Sequence, residues 1–286
     1  MRALGTVSLV SLVICVLRSS PAAAQGRPAS TWAIGLEGTL GAPSGWVQVR
    51  EGTLDGTRLH FRRDLGVRRT HTLALDVAYH PARGSGFELS LASYTLNGTT
   101  RLTRDVLFNG TTLAAGSTLA TRTDFPNFLR IDVAWRKDFF AIGRGGTVSG
   151  TLGLTAMLLT FKLRGTIAPT SVGRETKEDF VTQELPVPII GVRVRYPLAE
   201  RFVLRARISG GYLPWINSLR NEGGVVRLTQ SHLDVDLGGA YAIARSWQVV
   251  GGYRRTELMQ REKSREDGND IRLGANLVRL GVVRRF

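Results

Sequence analysis

Residues 271–286, IRLGANLVRLGVVRRF, decide the fold of this chain. Counted back in twos from the terminal Phe286, they give Arg284, Val282, Leu280 and Val278, and the intervening positions hold Arg285, Gly281 and Arg279. Successive side chains of a strand point to opposite sides, so this alternation describes one long strand with a mostly apolar face and a polar face. Such a strand, ending the chain on an aromatic, predicts the closing strand of a transmembrane β-barrel. An open sheet edge would leave backbone groups unsatisfied in lipid. The last strand must therefore pair with the first, and the chain between them must supply an even set of similar strands.

The N-terminus reads as a leader. Met1-Arg2 is a short basic region, residues 3–17 are mostly apolar, and Ala22-Ala23-Ala24 offers small residues for cleavage before Gln25. Residues 1–24 are thus expected to be a signal peptide and residues 25–286 the barrel domain. The apolar run is too short to span a bilayer and Arg18 ends it. Cys15, the only cysteine, leaves with the leader, which excludes a disulfide framework and a thiolate metal site. The net charge of +15 falls to +13 when Arg2 and Arg18 are lost. Export removes nucleic acid as a partner and substitutes anionic lipid or lipopolysaccharide phosphate.

After residue 25 no apolar run is long enough for a membrane helix, while glycine is abundant and apolar residues alternate. Strands are expected at residues 31–50, 70–80, from 87, 128–139, 147–164, 185–196, from 202, 226–242, from 247, and 271–286. That makes ten. Twelve would need a wall pair from residues 53–64 or 98–125, and eight would need separate elements to merge. Four local features accompany the count. GAPSG at 41–45 predicts a bend or bulge. Leu59 and Phe61 suggest a short capping strand. Asn97-Gly98 and Asn109-Gly110 suggest turns flanking a hairpin. The apolar phase changes from Val148, Leu152, Leu154 and Leu158 to Leu159, Phe161 and Leu163, which suggests a bulge near Leu158.

Short connections (81–86, 140–146, 197–200, 243–246) alternate with long polar ones (51–69, 98–125, 165–183, 214–225, 260–269), as periplasmic turns alternate with extracellular loops. Aromatics gather at the short-turn ends: Trp32, Tyr79, Phe87, Phe139, Tyr196, Phe202, Tyr241, Trp247 and Phe286. A girdle of this kind marks the headgroup level. A soluble lipocalin-like barrel or sandwich would need neither pattern.

The leader with Ala22-Ala23-Ala24, the alternating strands from Thr31 onward and the terminal Phe286 resemble the bacterial outer-membrane β-barrel superfamily of small single-chain barrels. The resemblance covers essentially all of residues 25–286. It implies an antiparallel up-and-down barrel in the outer membrane of a Gram-negative bacterium, present as a monomer among lipid and lipopolysaccharide. It also implies that periplasmic chaperones and the barrel-assembly machinery handle the chain, with Phe286 as the assembly signal. The terminal strand departs from the family pattern at Arg284, where an apolar or aromatic residue is usual.

By parity, the inward face carries Asp76, Glu88, Asp132, Asp138, Asp234 and Asp236 against Arg130, Arg136, Arg193, Arg195, Arg205, Arg207, Arg254, Arg279 and Arg285. About ten strands leave little lumen, and buried charges must be paired, so an internal ion-pair lattice in a structural or surface-interaction barrel is the first expectation. A narrow anion-favouring, porin-like channel lined by an arginine ladder is the second. The third is a rim hydrolase using His232, Asp234 and Asp236, which share a strand face at about 6–7 Å spacing. No nucleophile accompanies that trio. Ser231 and His232 are adjacent and point to opposite faces. His60, His71 and His80 are scattered, and no phosphate, zinc or calcium motif occurs. The chain is therefore expected to be non-enzymatic and without cofactor or metal. Charged loop residues (Arg174, Glu175, Lys177, Arg261, Lys263, Arg265) are candidates for contact with lipopolysaccharide phosphate.

Overall fold

The computed structural model describes residues 31–82, 84–108, 111–123, 128–143, 145–166, 175–182, 185–221, 225–265 and 267–286. The leader at 1–24, the Asn109-Gly110 dipeptide and Arg174 lie outside the described residues, as do the side chains of Phe161, Leu163, Glu175 and Lys177.

The strands, in chain order, are β1 (Thr31–Glu51), β2 (Leu54–Asp55), β3 (Leu59–His60), β4 (Thr70–Ala82), β5 (Ser85–Leu96), β6 (Gly98–Arg101), β7 (Val106–Phe108), β8 (Thr111–Leu113), β9 (Thr118–Arg122), β10 (Phe128–Ile142), β11 (Gly146–Thr166), β12 (Glu175–Thr182), β13 (Val187–Ala199), β14 (Phe202–Asn221), β15 (Val225–Ala242), β16 (Trp247–Lys263) and β17 (Asp267–Arg285). Ten of them form the wall, in the order β10-β5-β4-β1-β17-β16-β15-β14-β13-β11, and β10 pairs with β11 to close the ring. All these pairings are antiparallel. The closing ladder between β1 and β17 runs from Ala33↔Arg285 to Glu51↔Asp267. Phe286 adds a last bond by donating its N–H to the Trp32 carbonyl at 2.9 Å.

The outer face is hydrocarbon. Val278 (69% exposed), Leu280 (66%), Ile190 (69%) and Leu152 (57%) stand out from β17, β13 and β11, and Leu36, Leu73, Val133, Ile208 and Leu237 continue the belt on other strands. So large a continuous apolar surface has no place in water. It fits the lipid-facing band of a membrane barrel. The lower girdle is present too: Trp32 lies 4.5 Å from Tyr79, and Phe87, Phe139, Tyr196 and Tyr241 are exposed. Arg284 belongs to this girdle, with its guanidinium 4.6 Å from the Phe286 ring centroid and 5.5 Å from that of Trp247. A cation stacked on aromatic faces at the headgroup boundary is compatible with a lipid-side position.

At the opposite end the connections fold inward. Pairing of β1 with β4 stops at Gly41↔Thr70, and β3 then takes over the vacated edge at Trp46↔His60 and Val47↔Leu59. In the same way, β9 continues along β11 at Lys162↔Arg122, beyond the last β10–β11 pair at Phe128↔Leu159. The short strands thus extend the wall above the membrane and add no spanning pair. Between them lies one continuous apolar core. Leu59, Phe61, Leu65, Val67, Leu102, Val106, Phe108, Leu113 and Leu119 from the connections meet Val47, Leu96, Phe128, Met157, Leu159, Leu258, Ile271 and Leu273 from the inner faces of the wall. Tyr94 stacks on Phe128 at 4.7 Å beneath this cap. Asp64 fastens one side of it by accepting the His60 N–H at 2.9 Å.

The cap corrects three local expectations. No bulge occurs near Leu158: the β10–β11 register is unbroken there, and its one shift lies between Asp138 and Phe140. Leu158 faces lipid and Leu159 is buried in the cap. The apolar residues change face because the inside of the barrel becomes hydrophobic, while the strand keeps its register. Residues 41–45 likewise cause no slip in the β1–β17 ladder; Pro43 sits where β1 has no partner on its β4 side. Asn97-Gly98 is no hairpin turn. It links β5 to β6, and a Cβ on Gly98 would stand 2.5 Å from the Leu65 carbonyl oxygen, so only glycine permits that backbone approach.

Two measurements test this arrangement. Leu280→Arg places a charge about halfway up the lipid face and should destabilise the barrel by about 2–4 kcal/mol, with Leu280→Ala costing far less, in denaturant titrations of folding into lipid vesicles. In the cap, burial raises the Asp64 pKa, but hydrogen bonds from Arg63 and the His60 N–H and the charges of Arg63 and Arg104 outweigh it, leaving the carboxyl below its ordinary value. A depressed carboxylate stabilises above the ordinary carboxylate range and loses that effect as pH falls through its folded value. Hydrogen-exchange protection of the 60–67 amides should therefore persist from pH 7 to pH 5, and Asp64→Asn should reduce it about tenfold at pH 7.

Candidate functional site

The site is the lumen below the cap. Parity places its side chains: even-numbered residues of β4 point inward, as do odd-numbered residues of β13, β14 and β17. Directly under the cap is a buried polar layer of Gln230, His232 and Gln260, with 2.7 Å between the Gln230 Nε2 and the His232 Nε2.

Three ion-pair groups lie beneath it. Arg130, 5% exposed, donates to both oxygens of Asp234 (3.1 and 2.6 Å) and to Asp132 at 2.9 Å. Arg193 donates to both oxygens of Glu88 at 2.6 and 2.7 Å. Arg254 meets Asp236 at 2.6 Å and Glu37 at 3.3 Å, and Arg279 meets Glu37 at 3.0 Å and Asp236 at 3.7 Å. This last group is a ring of two guanidiniums and two carboxylates spanning β1, β15, β16 and β17. Two-point contacts fix both partners, because the planar guanidinium fork matches the carboxylate. Arg136 is more loosely held, 3.7 Å from Asp138 and 3.8 Å from Glu88, and the Ser149 hydroxyl donates to Asp138 at 2.6 Å.

Toward the end that carries Thr31 and Phe286, the lumen opens into a cavity of about 490 Å³. Its walls include Asp76, Glu88, Asp132, Asp138, Asp236, Arg136, Arg193, Arg195, Arg205, Arg207, Arg254, Arg279 and Arg285. Of the nine arginines expected to face inward, five have a carboxylate within 4 Å. For Arg195, Arg205, Arg207 and Arg285 no such pair occurs among the described residues; Arg205 donates to Gln248 Oε1 at 3.0 Å. Asp76 also has no ion pair within 4 Å among the described residues.

Glu37 escaped the sequence reading, although it occupies the same face of β1 as Gly35 and only its parity was needed to place it inward. His232, Asp234 and Asp236 do share a face, but at 5%, 6% and 5% exposure they lie under the cap and inside the bore, away from the rim. Arginines occupy both carboxylates. On the outside, Arg255 and Glu257 pair at 2.6 Å, Arg272 lies 3.8 Å from Glu257, and Asn276 accepts from Arg255 at 2.9 Å and Tyr253 at 2.6 Å. This is a polar island near the loop end of the lipid-facing wall.

No family model and no curated protein matches the sequence. The chain is similar in structure to other barrels. They include the outer membrane protease OmpT from Escherichia coli (12% identity, TM-score 0.45, covering 89% of this chain and 97% of that one). The outer membrane protein OprG from Pseudomonas aeruginosa is another (11%, 0.37, 92% and 98%), as is the toluene transporter TodX from Pseudomonas putida (9%, 0.33, 91% and 90%). At such identities no activity is carried across from them.

Removing one partner of a buried pair leaves the other charge uncompensated, which typically costs about 3–5 kcal/mol. Arg130→Ala should therefore destabilise the folded barrel by about that much in detergent micelles. Arg130→Met combined with Asp234→Leu should recover a substantial part of the loss, as read by denaturant midpoints.

Proposed function

We propose that this protein is a non-enzymatic barrel of the outer membrane of a Gram-negative bacterium, of structural and surface-interaction type, whose lumen does not conduct. The observation that carries the reading is the apolar cap seated on the ion-paired layer. An ion moving through the bore would have to enter hydrocarbon formed by Leu59, Phe61, Leu65, Phe108, Phe128 and Leu159, all at most 3% exposed, and shed its hydration to do so. Below it, Arg254, Asp236, Glu37 and Arg279 add an ion-paired group on the neighbouring strands β1, β17, β16 and β15. The narrow anion channel is the weaker reading for this reason, despite its arginine wall.

The outward-facing island of Arg255, Glu257, Arg272 and Asn276 supports a surface role. It stands beside lipid at the loop end, where lipopolysaccharide phosphate is the abundant anion, and arginine forks suit phosphate. The exposed Arg261 and Lys263 beside it would extend the same contact. Phe286 and the β17 register support recognition by the barrel-assembly machinery, with periplasmic chaperones before it, and a monomer suffices because the wall closes on itself.

In planar bilayers, purified folded protein should give no unitary current steps; reproducible single-channel steps would overturn the sealed barrel. Arg255→Gln with Arg272→Gln should reduce co-purifying lipopolysaccharide several-fold while leaving the folded yield unchanged. Unaltered lipopolysaccharide content would remove the surface assignment.

A further inference from the structure

We propose that the cavity at the terminus-bearing, periplasmic end of the barrel is a binding site for a small soluble polyanion carrying phosphoryl or carboxylate groups.

The argument starts from register. Arg193 lies directly opposite Arg207, and Arg195 directly opposite Arg205, on the inner faces of β13 and β14. Like charges opposed across a ladder repel, and such rungs are disfavoured unless something lies between or beside them. The upper rung is half compensated, since Arg193 holds both oxygens of Glu88. The lower rung has no carboxylate within 4 Å among the described residues. Arg285, arriving from β17, adds its charge to the same space; Arg205 and Arg195 both lie within electrostatic reach of it. Around the cavity as a whole, eight arginines meet six carboxylates, an excess of two positive charges.

Two further observations point to a ligand and away from a merely solvated face. The Nε atoms of Arg195 and Arg207 are buried and have no hydrogen-bond partner among the described residues. The space beside these side chains is a cavity of about 490 Å³, within the size range of small-molecule sites. The Arg254–Asp236–Glu37–Arg279 group lines part of its inner wall, and Thr31, Trp32 and Arg285 line it at the other end. Guanidinium forks from β13 and β14 on one side and β17 on the other can contact separate oxygens of one multiply charged solute. A monovalent anion would leave half of that excess uncompensated. The site is independent of whether the barrel conducts, because it needs only the lower half of the lumen.

The test uses the full folded chain in a zwitterionic detergent, with tryptophan fluorescence following thermal unfolding. Pyrophosphate and citrate are the phosphoryl and carboxylate probes, each compared with sodium chloride at equal ionic strength. A ligand that binds only the folded state raises the midpoint in a saturable way. The expected result is a saturable rise with at least one probe, and the probe that acts at lower concentration names the anion class. Arg195→Gln with Arg205→Gln should weaken that binding at least tenfold, and its midpoint without probe should equal or exceed the native one, because the opposed charges are gone. Arg261→Gln with Lys263→Gln in the distant loop should titrate like the native chain. Where the double variant fails to fold, Arg285→Gln at the mouth replaces it, with the same loss expected. Midpoints that follow ionic strength alone would overturn the site, as would a probe response that survives in the lumen variants.

Discussion

A backbone amide that faces lipid has no water to bond, and that single constraint organises the molecule. It forces every spanning strand to have two neighbours, which forces the sheet to close. Closure through β1 and β17 in turn fixes the side-chain alternation, because register and face are coupled at a period of two. Once Leu280 faces hydrocarbon, Arg279 must face the lumen. The outside is then mostly apolar across the lipid-facing band, and the inside inherits most of the polar residues the strands carry.

The inside solves its problem differently at each depth. Near the loops, the inner faces of the strands turn apolar and the connections supply Leu59, Phe61, Leu65 and Phe108 to make an ordinary dry core. In the middle, charges are present but matched: Arg130 with Asp234 and Asp132, Arg193 with Glu88, and Glu37 and Asp236 with Arg254 and Arg279. Near Thr31 and Arg285, matching is incomplete and Arg195 faces Arg205. Seal, clamp and cup follow in that order along the axis. On the proposed reading, the gradient reconciles a bore that does not conduct with a wall that looks, by composition, like that of an anion channel.

Much of this was legible in the sequence. Strand positions and strand number followed from alternation, because lipid on one side makes the period strict; the same alternation also places Glu37 inward. What escaped did so for identifiable reasons. Leu159 suggests a slip only if the apolar face is outside along the whole strand, and that rule lapses where loops fill the bore. Asn97-Gly98 carries turn chemistry, yet its glycine serves close contact with the backbone at Leu65, which no local pattern reveals. The placement of Asp234 and Asp236 on one face was readable, but their depth was not, since depth depends on how the cap is assembled. The division of nine arginines into paired and unpaired sets depends on neighbours distant in sequence, such as Glu88 and Arg193, and so required the three-dimensional register.

The most direct test of the account concerns sidedness. Cys15 is the only native cysteine, so a Cys15→Ser, Ser90→Cys chain carries one reporter thiol in the cavity wall. In vesicles of defined orientation, a small membrane-impermeant charged thiol reagent should label it from the terminus-bearing side and leave it unlabelled from the loop side. Equal labelling from both sides would contradict the sealed, one-ended barrel.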